Sequence, residues 1–78
     1  MTRKMRLVVH TARELHRGEW AEVADDVPAG QLEDDALSDV VRSASAGDQM
    51  WIFTMDNGRR RAIPFSAMEW IEVEVRHA

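Results

Sequence analysis

The alternation of apolar and polar positions predicts that the chain opens with a strand. In residues 5–11, MRLVVHT, Met5, Leu7 and Val9 alternate with Arg6, Val8 and His10, the two-residue period of a pleated ribbon. ARELHRGE then reads as a connection that turns at Gly18. EWAEVA, residues 19–24, predicts a second, shorter strand, and Pro28 and Gly30 interrupt regular structure after it. From Leu32 the period changes: Leu32, Ala36, Leu37, Val40, Val41 and Ala44 fall on one face of a 3.6-residue repeat, so residues 32–47 predict an amphipathic helix. Glu33, Asp34 and Asp35 are expected in its first turn, where they suit the positive end of the dipole, and Gly47 marks its stop.

WIFTMDNGRRRAIPF, residues 51–65, predicts a hairpin. Asn57-Gly58 is the signal for a two-residue type I′ turn, because both residue types tolerate positive φ. That turn would set Asp56 opposite Arg59, Met55 opposite Arg60, Phe53 opposite Ala62, Ile52 opposite Ile63 and Met50 opposite Phe65. SAME, residues 66–69, has the spacing of a capping box and predicts one tight turn. EWIEVEVRH then closes the chain as a strand, with Ile71, Val73 and Val75 on one face and Trp70, Glu72, Glu74 and Arg76 on the other. Together these elements predict one α+β domain over residues 1–78, a small antiparallel or mixed sheet in the order ββαβββ with one helix packed on one face.

The expected register divides the hairpin into two apolar faces. Met50, Ile52, Ile63 and Phe65 lie on one, which the helix is expected to cover together with Ile71, Val73 and Val75. Trp51, Phe53 and Met55 lie on the other, beside Arg60 and Ala62, with Trp70 a further candidate. Three such rings offer roughly 500 Å², a good part of the ~800 Å² that each partner gives to an ordinary interface. Trp51, Phe53, Met55, Trp70 and Arg60 are therefore the expected partner-binding residues, through which the protein self-associates or meets a protein partner. The competing arrangement is a sheet that curls into a small barrel and takes that face into its core.

Composition narrows the choice of chemistry. A chain of 78 residues buries only roughly 60 to 65% of its unfolded surface. With no cysteine it has no disulfide staple or thiolate zinc site, which favours a homo-oligomer. The missing cysteine and an N-terminal stretch without a signal peptide's apolar run lead to the expectation of a cytoplasmic protein, with no membrane-spanning segment. Ten basic residues against fourteen acidic give a net charge of −4, which disfavours a nucleic-acid partner. Arg59, Arg60 and Arg61 beside Trp51 and Phe53 nevertheless compose a possible single-strand platform, the runner-up reading. A third reading is an acidic inhibitor whose Glu22, Asp25, Asp26, Glu33, Asp34 and Asp35 meet a basic site. His10, His16 and His77 lack the spacing of a zinc motif, and neither a phosphate-binding glycine loop nor a nucleophile turn is present. The expectation is a non-enzyme with no metal and no cofactor.

ARELH at the end of a strand, an amphipathic helix and then DNGRRRAIPFSAMEWIEVE resemble a family of short uncharacterised actinobacterial or actinophage proteins. Arginine supplies nine of the ten basic residues, as high-GC genomes favour. The resemblance implies a fold and a type of host, and no particular activity.

Overall fold

The computed structural model describes residues 3–47 and 49–77. It is an α+β arrangement of antiparallel strands and one helix: β1 (Arg3–Thr11), β2 (Leu15–Arg17), β3 (Ala21–Val23), α1 (Ala29–Ser45), β4 (Met50–Thr54), β5 (Arg60–Pro64) and β6 (Met68–His77). The expected order holds, with one further short strand, β2, inside the segment read as a connection. β1 is the centre. It pairs along its length with β6 on one side and with β2 and then β3 on the other.

Between β2 and β3 the register along β1 advances by one residue. Val8 faces Arg17 whereas Met5 faces Ala21, so Glu19 and Trp20 together oppose Arg6. A bulge of this kind bends a strand and re-aims its side chains. Gly18 stands at the bend, with its N–H bonded to the Leu7 carbonyl at 2.8 Å. On its far side the β4–β5 hairpin joins the sheet at a single bridge between Gly18 and Met55. Glu19 N–H donates to the Thr54 carbonyl, and Asp56 N–H to that of Arg17.

The hairpin register corrects the expected one. Trp51 faces Ile63, Ile52 faces Ala62, Phe53 faces Arg61 and Thr54 faces Arg60. The loop holds three residues, Asp56, Asn57 and Gly58, not two: Met55 N–H donates to the Arg59 carbonyl and Gly58 N–H to that of Met55. Only Gly58 takes a positive φ, +85°, as in a type I turn closed by a glycine bulge. Asn57 keeps negative φ, and its Oδ1 accepts the Arg59 N–H at 2.9 Å. A one-residue slip exchanges the faces of one strand relative to the other. Trp51, Phe53, Met55 and Ile63 therefore share a face, which the two-residue turn would have split.

That shared face folds onto β1. Val9, Phe53, Met55 and Ile63 form the buried core, with Leu7, Trp51, Met68 and Ile71 packed against it. Met50 and Ile52, expected inside, are 52% and 54% exposed.

The helix begins a turn earlier than its apolar period indicates. Pro28 precedes it with φ fixed near the helical value, and Ala29, Gly30 and Gln31 form its first turn, so the acidic residues 33–35 fall in the second. Arg3, side chain 8% exposed, holds the incoming loop by donating to the carbonyls of Ala24 and Val27. Val40 is the one buried residue among those described in α1, which packs against β6 and β4. Gly47, at φ +92°, ends the helix as expected. Phe65–Ala67 forms the tight turn expected before the last strand, as a 3-10 turn without the side-chain cap that the SAME spacing suggested.

Candidate interaction surface

The residues expected to form one partner-binding face do not stay together. Phe53 and Met55 are 4% and 7% exposed and belong to the core. Trp51 is half-buried against them and meets Phe65 edge-on, centroids 6.3 Å apart. Arg60 faces Thr54 on the hairpin's outer side, away from Phe53, while Arg61 takes the aromatic side. Trp70 is the most exposed of the aromatic candidates, at 52%.

Trp70 belongs to a surface that sequence reading did not assemble. On the side of the β1–β6 pair opposite Val9 and Ile71, the ladder sets Lys4 against Arg76, Arg6 against Glu74, Val8 against Glu72 and His10 against Trp70. The Trp70 ring lies along the His10 imidazole, centroids 4.4 Å apart and planes at 26°. The bulge swings Trp20 onto the same side, where the guanidinium carbons of Arg6 and Arg76 lie 4.4 and 4.1 Å from its ring centroid. Arg6 also donates through Nε to Glu74 Oε2 at 2.9 Å, with Nη2 of the same ion pair 2.9 Å from that oxygen, and stands 4.0 Å from Asp56.

These contacts hold the aromatic groups in place. The Arg6 and His10 side chains are 14% and 18% exposed, and Val8 between them is 1% exposed. A guanidinium over indole contributes roughly 0.5–2 kcal/mol according to its desolvation, and a stacked ring pair about as much. The charged rim stays in water, with the Glu72 side chain 54% and that of Glu74 41% exposed. The strand alternation did signal that Trp70, Glu72, Glu74 and Arg76 share a face, and likewise Arg6, Val8 and His10. No periodicity signals that the two sets are one surface, or that Trp20 joins it.

A second polar group surrounds a hollow of about 440 Å³ between the start of β2 and the end of β5, lined by Thr11, Glu14, His16, Ile63, Ser66 and Met68 among others. His16 Nδ1 lies 3.1 Å from Arg61 Nη1, a contact in which the guanidinium N–H is the donor. Arg61 also pairs with Glu14 at 3.4 Å. The Thr11 hydroxyl donates to the Glu14 carbonyl at 3.0 Å and accepts the Glu14 N–H at 3.3 Å. The group ties β5 to the turn after β1. Arg61 is thereby paired while still 44% exposed, and Phe53, expected in the stacking platform, is buried. Of the acidic middle segment, Asp25 stands 3.9 Å from Arg3 Nε.

Among the described residues no group of three or more histidine or carboxylate side chains stands close enough to hold a metal ion. No helix among them is long and apolar enough to cross a membrane. Comparison with protein-family profiles, curated proteins and solved structures gives no match.

Proposed function

We propose that the protein is a small non-catalytic interaction module that meets a protein partner through the aromatic and charged side of β1 and β6. The observation that carries this reading is Trp70, half exposed yet held flat against His10 at the edge of a surface that also presents Trp20, Arg6 and Arg76. Tryptophan and arginine dominate interface hot spots. A ring already fixed by stacking loses little rotamer freedom on binding, so more of its contact energy becomes affinity. The mixed charge of the rim, Glu72 and Glu74 beside Arg6 and Arg76, fits a protein surface better than a phosphate backbone, as does the net charge of −4. The cysteine-free sequence supports a cytoplasmic placement.

Replacement of Trp70 by a photoreactive phenylalanine analogue in the producing cell tests the reading, with Ser38 on the exposed side of α1 as control. A discrete protein adduct formed from position 70 and absent from position 38 is expected. Equal adducts from both positions, or none from position 70, would overturn it.

A further inference from the structure

β6 is the longest strand. None of its ten residues is buried, although Ile71, Val73 and Val75 alternate along its core side. β1 beside it holds Val8 and Val9 at 1% exposure. The edge that β6 turns to β1 is paired at nine positions, and among the described residues it has no other strand neighbour. Natural sheets protect free edges with proline, charged side chains, bulges, short strands or a covering helix or loop, and of the side-chain devices β6 carries, beyond Trp70, only the charges of Glu72, Glu74 and Arg76. From Ile71 to His77 this strand contains no proline, glycine or lysine, and its only register shift lies before that stretch, at the His10–Thr11 step of the ladder.

We propose that a second copy of the chain occupies this edge, β6 pairing antiparallel with β6 of the partner about a two-fold axis, so that the two sheets become one. Self-complementarity selects the register. An axis at Glu74 sets Glu72 opposite the partner's Arg76 twice and Val73 opposite the partner's Val75 twice. The Glu74 carboxylates meet on the axis, but each already lies 2.9 Å from its own Arg6, which offsets the repulsion. An axis at Val73 would instead place Glu72 against the partner's Glu74 twice, an axis at Glu72 would oppose two Glu72 side chains, and an axis at Val75 would set Glu74 opposite the partner's Arg76 but pair only residues 73–77, leaving Ile71 outside the strip. Pairing about Glu74 extends the under-covered row of Ile71, Val73 and Val75 into a continuous apolar strip. It also keeps Trp70 and Trp20 of both copies on one side of the joined sheet.

The inference rests on the reading of the β1–β6 region as the contact surface and names one partner for its edge. Sedimentation equilibrium of the whole chain tests it, on wild type, Glu72→Arg, Arg76→Glu and the double exchange. Wild type is expected to dimerise at micromolar concentration, each single variant to weaken dimerisation at least tenfold, and the double exchange to restore it. In wild type, the alternate β6 amides that point away from β1 should gain hydrogen-exchange protection as concentration rises. A monomeric wild type, a dimer whose outward β6 amides exchange freely, or a double exchange no better than the singles would overturn the inference. Trp70→Ala is expected to stay dimeric, since Trp70 lies beyond the Glu72–Arg76 pairing. A monomeric wild type therefore removes the second copy without touching the adduct test at Trp70.

Discussion

Gly18 packs its α-carbon against the edge of the Phe53 ring. A β-carbon at that position would lie 2.8 Å from Phe53 Cζ and 2.9 Å from the Leu7 carbonyl oxygen, with the ring on one side and backbone on the other. This is the point where the hairpin meets the sheet, so the ring cannot retreat without opening the core.

Gly18→Ala is therefore expected to destabilise the protein by about 1–3 kcal/mol, the cost of overpacking a filled site. Urea unfolding measures it. A loss below about 0.5 kcal/mol would show that the Phe53 ring has room to shift.

Gly58→Ala should cost on the order of 1 kcal/mol for a different reason. Nothing lies within 4 Å of a β-carbon there, so the penalty is the strain of alanine at φ +85°. Gly58→Asn, which tolerates that region better, should lose less in the same measurement.

The hairpin register is checked by neighbouring residues. Phe53→Ala is expected to cost roughly 3–5 kcal/mol, enough to unfold most of so small a domain. Ile52→Ala, half exposed on the outer side, should change stability by less than about 1 kcal/mol. The reverse ranking would restore the two-residue turn.

Arg3→Met keeps the length of the side chain but removes both bonds to the loop before α1. A cost of about 1–3 kcal/mol is expected, from leaving the Ala24 and Val27 carbonyls without that donor. Hydrogen exchange should quicken first at the Gln31 and Leu32 amides, which bond back to Pro28.

The His10–Trp70 stack should appear as a coupling of roughly 0.5–1.5 kcal/mol in a double-mutant cycle of the two alanine substitutions. Additive losses would mean that the rings share space without attraction. Trp70→Ala alone should remain folded, because half of that side chain already faces water.

By itself the sequence determined most of the elements and the two faces of the first and last strands. A 3.6-residue period marked the helix, Gly47 its end, Asn57-Gly58 the place of the hairpin, and strict alternation set Trp70, Glu72, Glu74 and Arg76 on one face of the last strand. These are local properties, written in neighbouring residues. Local signals did not settle whether Asn57-Gly58 turned the chain in two residues or three, because both loops suit the dipeptide. The tertiary structure decided it: only the three-residue loop gathers Trp51, Phe53, Met55 and Ile63 on one side, where Val9 can cover them. Burial of that set outweighs the exposure of Met50 and Ile52. The candidate surface was decided in the same way. His10 meets Trp70 and Arg6 meets Glu74 across a ladder joining the two ends of the chain, and Trp20 arrives through the bulge that follows Gly18. Contacts between residues so far apart in sequence follow from packing, and no short-range pattern encodes them.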